Sequence, residues 1–110
     1  MFDNVVIADY NGYKLTKGQY NDGEVYYRVI QNENSRKFAR LGATLDRYPD
    51  ATDTEMLTVA PNHKEIGVRI LYFSDNSLDF VSSYIDILKE AFEAAKYFNS
   101  VIAKHEGGIV

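Results

Sequence analysis

The first third of the chain reads as short β-branched and aromatic runs separated by Asn/Gly turns, and the last third as apolar residues at helical spacing. Val5 to Tyr10 predicts a strand. Asn11-Gly12 follows at once and Tyr13 to Lys17 resumes the apolar pattern; Asn-Gly between two such runs predicts a tight hairpin, because both turn residues must take positive φ. Asn21-Asp22-Gly23 marks a second turn, and Glu24 to Gln31 (EVYYRVIQ) predicts a third strand. Phe38, Leu41, Leu45 and Tyr48 then fall at helical spacing, with Ser35 as a cap and Pro49 as a stop, which predicts a short helix over 36–48. Gly42 costs that helix about 1 kcal/mol relative to alanine, and an irregular strand from Lys37 to Leu45 is the alternative. Glu55 to Ala60 and Ile66 to Phe73 predict two more strands around Pro61-Asn62-His63-Lys64. Ser74-Asp75-Asn76 ends the β pattern, and a helix is expected from Ser77 to Lys104, with Gly107-Gly108 as its C-terminal stop. The order ββ-β-α-ββ-α predicts an α+β fold: an antiparallel sheet of about five strands packed against one long C-terminal helix and one short helix. No repeat, linker or composition shift divides the chain, so residues 1–110 are expected to form one domain.

The long helix carries two apolar stripes. Leu78, Val81, Ile85, Leu88, Phe92, Ala95 and Ile102 form one; Phe80, Tyr84, Ile87, Ala91, Ala94, Phe98 and Val101 form the other. Together they cover roughly 220° of the circumference, whereas docking on one sheet needs an arc of only about 100°. A helix of this length is about 42 Å long and would overhang a five-stranded sheet roughly 24 Å wide. The excess predicts self-association, a dimer being favoured. The aliphatic-rich first stripe is assigned to the sheet. The second, which mixes aromatics with alanines, is assigned to a partner chain, because interfaces are enriched in aromatics and alanine permits close helix approach.

Composition narrows the functional classes. Forty-five per cent hydrophobic and 14% aromatic residues give a chain able to bury a core. With no cysteine, disulfides, thiolate nucleophiles and cysteine-bound zinc are excluded. A net charge of −4 argues against nonspecific nucleic-acid binding, which needs a positive field. No apolar run reaches the 18 or so residues of a membrane span, and the start lacks the basic and apolar regions of a signal peptide, so no membrane association and a cytoplasmic location are expected.

Candidate chemistry is sparse. His63 sits in a predicted turn and His105 at the end of the long helix; neither has a ligand or nucleophile at a known spacing, so no catalytic residue is assigned. Asp46, Asp50, Asp53 and Glu55 crowd one loop without the alternate spacing of a calcium loop, and no metal or other cofactor is expected. Glycine-rich phosphate loops, Gly-x-Ser-x-Gly and His-Glu-x-x-His are absent. Arg36, Lys37, Arg40 and Arg47 form the one basic cluster and would share one face of a helix over 36–48, giving either a patch for an anion or acidic partner or a solvated helix face. Tyr10, Tyr13, Tyr26, Tyr27 and Tyr72 lie in predicted strands, where β propensity accounts for them. Tyr26 and Tyr27 must point to opposite faces.

These readings favour a non-catalytic interaction or regulatory protein that self-associates through the long helix and binds a further protein, a class that includes accessory proteins and inhibitors encoded on phages and other mobile elements. The alternatives are a binder of a small anionic ligand or nucleotide using the basic cluster and tyrosines, and a small enzyme using His63.

Overall fold

The structure, a computed structural model, describes residues 2–36, 55–70 and 78–107. Three strands, β1 (Phe2–Tyr10), β2 (Tyr13–Gln19) and β3 (Val25–Ile30), form an antiparallel meander in the order β1-β2-β3. Residues 33–36 make a helical turn, α1. Strands β4 (Leu57–Val59) and β5 (Ile66–Val68) pair as a second, two-stranded antiparallel sheet, and α2 (Leu78–His105) closes the chain. The fold is α+β, and the five strands among the described residues are divided between two sheets. Of the helix expected over 36–48 only Arg36 is described, in a turn that starts at residue 33 and has Asn32 and not Ser35 as its cap; residues 37–48, the strand alternative, and residues 71–73 of the last expected strand lie outside the described residues. Among the described residues no helix is long and apolar enough to cross a membrane.

Local chemistry sets the turns. Asn11 and Gly12 take φ of 49° and 90°, the pair of positive values that a two-residue hairpin turn demands. The Gly12 N–H also donates to Asp9 Oδ1 at 3.2 Å. Its φ favours glycine, and a Cβ at position 12 would also be crowded by Asn32 Cβ at 3.2 Å. Between β4 and β5 the His63 N–H donates to Ala60 O and the Lys64 N–H to Asn62 Oδ1, so Pro61 and Asn62 make a closed turn. Helix α2 ends at Gly107, whose φ of 76° and N–H bond to Lys104 O are those of a left-handed C-terminal cap.

One core joins the parts. Tyr13, Leu15 and Tyr27 enter it from the three-stranded sheet, Met56, Leu57 and Ile66 from the β4–β5 hairpin, and Ala91, Ala94, Ala95, Phe98 and Ile102 from α2. Two side-chain amides fasten the hairpin on either side. Gln31 donates from Nε2 to Leu57 O (2.9 Å) and accepts the Leu57 N–H at Oε1 (3.2 Å). Asn99 donates from Nδ2 to Ile66 O (2.9 Å) and accepts the Ile66 N–H at Oδ1 (2.8 Å). Each amide thus supplies the donor and acceptor that a neighbouring strand would have supplied.

Asn32, 6% exposed, works in the same way at the other end of the sheet. Its Oδ1 accepts the Ser35 N–H and caps α1, while its Nδ2 donates to Asn11 O and to Glu90 Oε1 of α2.

The Ile66 side chain is buried and its two backbone groups are partly so, and removing the Asn99 amide leaves both without a protein partner beside an open groove. Asn99→Ala should lower unfolding free energy by about 2 kcal/mol in urea titration, because each unpaired buried group costs about 1–3 kcal/mol and water recovers part. Asn99→Asp should be no better, since its carboxylate faces the Ile66 carbonyl without a donor.

Candidate functional site

Helix α2 shows two faces with different fates. Ala91, Ala94, Ala95, Phe98 and Ile102 fall within about 100° of one another around the helix and are buried. Leu78, Val81, Ile85 and Phe92 fall within about 60° on the adjacent side and are exposed by 82%, 38%, 45% and 53%. Leu88 lies between the two faces, half-buried against the core. The spacing of Leu78, Val81, Ile85, Leu88 and Phe92 alternates three and four residues, the pattern of a helix–helix seam.

The two stripes do not sit as assigned. The stripe expected to meet a partner faces the core of its own chain: Ala91, Ala94 and Phe98 are fully buried, and Tyr84, Ile87 and Val101 pack against that core. The Phe80 side chain lies outside the described residues. The physical reason is size. Alanines at 91, 94 and 95 let the helix backbone approach the sheet, and Phe98 fills the remaining space. The stripe expected on the sheet divides: Ala95 and Ile102 are buried at its C-terminal end, while its N-terminal end, from Leu78 to Phe92, is exposed apart from half-buried Leu88. Asn99, which stands on the same line and binds Ile66, marks where the sheltered part lies.

The other candidates are scattered. Of the basic cluster, Arg36 of α1 is exposed and lines an open groove with Lys14, Asn34 and the acid Glu33; Lys37, Arg40 and Arg47 lie outside the described residues. His63 is exposed in its turn at a φ of 60°, its ring edge-on to Tyr20 at 6.3 Å. His105 Nδ1 lies 3.4 Å from Lys17 Nζ. Asp46, Asp50 and Asp53 lie outside the described residues, and among the described residues no group of three or more potential ligands could hold a metal ion.

Two tyrosine arrangements were hidden in the sequence. Tyr26 and Tyr27 are both buried although they face opposite ways. Tyr27 is in the core, whereas Tyr26 lies on the outer sheet face, covered by Tyr20 (4.5 Å between ring centres) and by the Arg28 guanidinium 5.0 Å above its ring. Tyr13 is fully buried, and among the described residues its hydroxyl has no partner within good hydrogen-bond geometry. Burial, and then the Glu90 carboxylate, push that phenol up to about 12, with Ser35 beside it acting in the opposite sense.

The C-terminal end of α2 is latched to the sheet. Glu106 accepts from Lys64 Nζ at 2.9 Å and from the Tyr27 hydroxyl at 3.0 Å. These two bonds, Lys64 first, hold the Glu106 carboxyl below its ordinary 4.5, and the same contact raises Lys64 above 10.5. Burial and then the bond to Glu106 push Tyr27 up to about 12. Lys64 and Glu106 are partly open to solvent, so this cluster orients the helix end more than it stabilises the fold. No acid–base pair in it faces an enclosed cavity; the grooves beside it, one lined by Asn99, Ile102 and Ala103 and one by Asp22, Gly23 and Val25, are open.

No protein-family model, no curated protein and no solved structure matches this chain.

The shifted groups contribute to the pH dependence with a definite sign. Glu106 is depressed, so its contribution is present above the ordinary carboxylate value and is lost as pH falls through its folded value. Tyr13 and Tyr27 are raised, so theirs is fully present below pH 10 and is lost as pH rises toward 12. Urea midpoints should therefore hold level through neutral pH and fall on both sides. Glu106→Gln should make the acid limb slightly shallower. Phenolate absorbance from Tyr13 and Tyr27 should appear only as the fold is lost, and Tyr27→Phe should halve that late component.

Proposed function

We propose that this chain is a non-catalytic interaction protein that self-associates through α2 and engages a further protein through another surface. The observation that carries the reading is the exposed line Leu78, Val81, Ile85 and Phe92. Four large apolar side chains in one row at helix-pairing spacing are a costly surface for a single chain to leave in water, and pairing removes them from it. The seam lies on a regular helix anchored at its other end, so it is presented without an ordering cost. The outer sheet face supports the second half of the reading. Tyr20 and Arg28 flank the buried Tyr26 ring there, and tyrosine and arginine are the side chains that most often anchor protein contacts.

Sedimentation equilibrium tests the self-association. The chain should be a concentration-dependent dimer. Ile85→Glu should raise the dissociation constant by about a hundredfold or more, because a symmetric contact loses the buried aliphatic twice, at about 1.5 kcal/mol or more each time. Its circular dichroism should match the parent, since Ile85 is exposed in the single chain. Ala94→Glu, by contrast, should unfold the chain. A parent that stays monomeric to high micromolar concentration would contradict the reading.

A further inference from the structure

The turn between β1 and β2 carries the only Asn-Gly pair of the chain, Asn11-Gly12. We infer that Asn11 is a site of spontaneous covalent modification, gated by the hairpin, at which loss of the side-chain amide sets a new carboxylate against Glu90 of α2.

The reaction consumes only water. The Gly12 backbone nitrogen gives up its proton and attacks Asn11 Cγ. The N–Cγ bond forms, the Cγ–Nδ2 bond breaks, and the amide nitrogen leaves with that proton as ammonia. Water then opens the cyclic imide. Opening at Cγ leaves aspartate at position 11; opening at the Asn11 backbone carbonyl carries the β-carbon into the main chain as an isoaspartyl link. Glycine favours the closure, because no side chain at position 12 crowds the attacking nitrogen. Both residues are exposed, so water reaches them.

The fold holds this reaction back in two ways. The first is the backbone. The φ values of 49° at Asn11 and 90° at Gly12 are those of a type I′ turn. In such a turn ψ of the first central residue is about +30°, which sets its side chain and the following nitrogen on opposite sides of the Cα–C bond. Closure needs them on the same side, a rotation of more than about 90° that the turn does not allow while Tyr10 is paired with Tyr13. The second is bonding. The Gly12 N–H donates to Asp9 Oδ1 at 3.2 Å, and a carboxylate acceptor keeps the proton on the nucleophile. Asn32 Nδ2 donates to Asn11 O at 3.1 Å, and Asn11 Nδ2 donates to Glu90 Oε2 at 3.5 Å. Opening of the turn ends these restraints together, and an exposed turn at the end of a sheet opens locally at low free energy.

The product weakens the contact it forms in. Asp-Gly also suits a type I′ turn, so the change on forming aspartate is electrostatic. A carboxylate replaces the donor beside Glu90 Oε2, with Asp9 bonded to the next residue. Lys14 and Arg36 line the groove beside Asn11 and offset part of the repulsion, and Glu33 adds to it. Glu90 is also bonded to Asn32 at 2.8 Å, so moving it away releases that bond. The isoaspartyl product lengthens the turn and breaks the Tyr10–Tyr13 pairing. Both products loosen the hairpin from α2.

Peptide mass spectrometry of the chain held at mildly alkaline pH, in buffer and in concentrated guanidinium chloride, tests the inference. Asn11 should convert in the folded chain roughly ten- to a hundredfold more slowly than in denaturant, as the open fraction of the turn dictates. Asn11→Asp should lower the urea midpoint of unfolding, and by less in a Glu90→Gln background. High salt should shrink the same loss, which covers the case in which Glu90→Gln folds poorly. Equal rates in buffer and denaturant would overturn the gate. No conversion in the folded chain after roughly a hundred half-lives of the denatured one would overturn local opening. An Asn11→Asp chain as stable as the parent, or a loss indifferent to both Glu90→Gln and salt, would overturn the link to Glu90.

Discussion

Two side-chain amides hold the parts of this molecule together. Strands β4 and β5 are three residues each, too short for a hairpin to persist alone. Leu57 and Ile66 are buried, and their outward-facing backbone groups must be bonded somewhere. Gln31 meets both groups of Leu57 and Asn99 meets both groups of Ile66. The hairpin is thereby built in between the three-stranded sheet and the helix. The Asn99 amide also occupies the Ile66 groups on the outer edge of β5, where another strand could otherwise add.

The form of α2 follows from that anchorage. Its C-terminal half is tied at Asn99, packed through alanines and Phe98, braced by Tyr97 against Tyr10 of β1 at 6.1 Å, and latched at Glu106 to Tyr27 and Lys64. A strand of three residues covers about 10 Å, whereas a helix of 28 residues is about 42 Å long. The N-terminal half, lacking alanines at the matching positions and carrying Leu78, Val81, Ile85 and Phe92, runs past the anchored region with its seam open. One helix is thus a wall of the core at one end and leaves an apolar line exposed at the other.

The sequence showed the parts whose causes are local. Asn11-Gly12 specified the hairpin because its two positive φ values depend on those residues alone. The long helix was bounded to within a residue at each end by its spacing and by Gly107. The choice of helix face was not legible in the same way. Residue type suggested that aliphatics seek the sheet and that aromatics with alanines seek a partner. What decides is where the backbone must come closest, and that is a property of the assembled sheet. Asn99 was the available signal, since a polar residue interrupting the Leu78 line marks a change of environment along it. The shortness of β4 and β5 was equally hidden, because the groups that replace further strand pairing come from Gln31 and Asn99, 26 and 33 residues away in sequence. The burial of both Tyr26 and Tyr27 likewise depends on Tyr20 and Arg28 closing over the outer face.

The central claim is that α2 is anchored by its C-terminal half and pairs by its N-terminal half. Amide hydrogen exchange followed at increasing protein concentration tests it residue by residue. Protection of amides from Leu78 to Phe92 should rise with concentration as the seam becomes covered, while protection from Ala95 to His105 should stay constant, being set within one chain. Protection that is independent of concentration along the whole helix, or that rises only in the Ala95–His105 half, would contradict it.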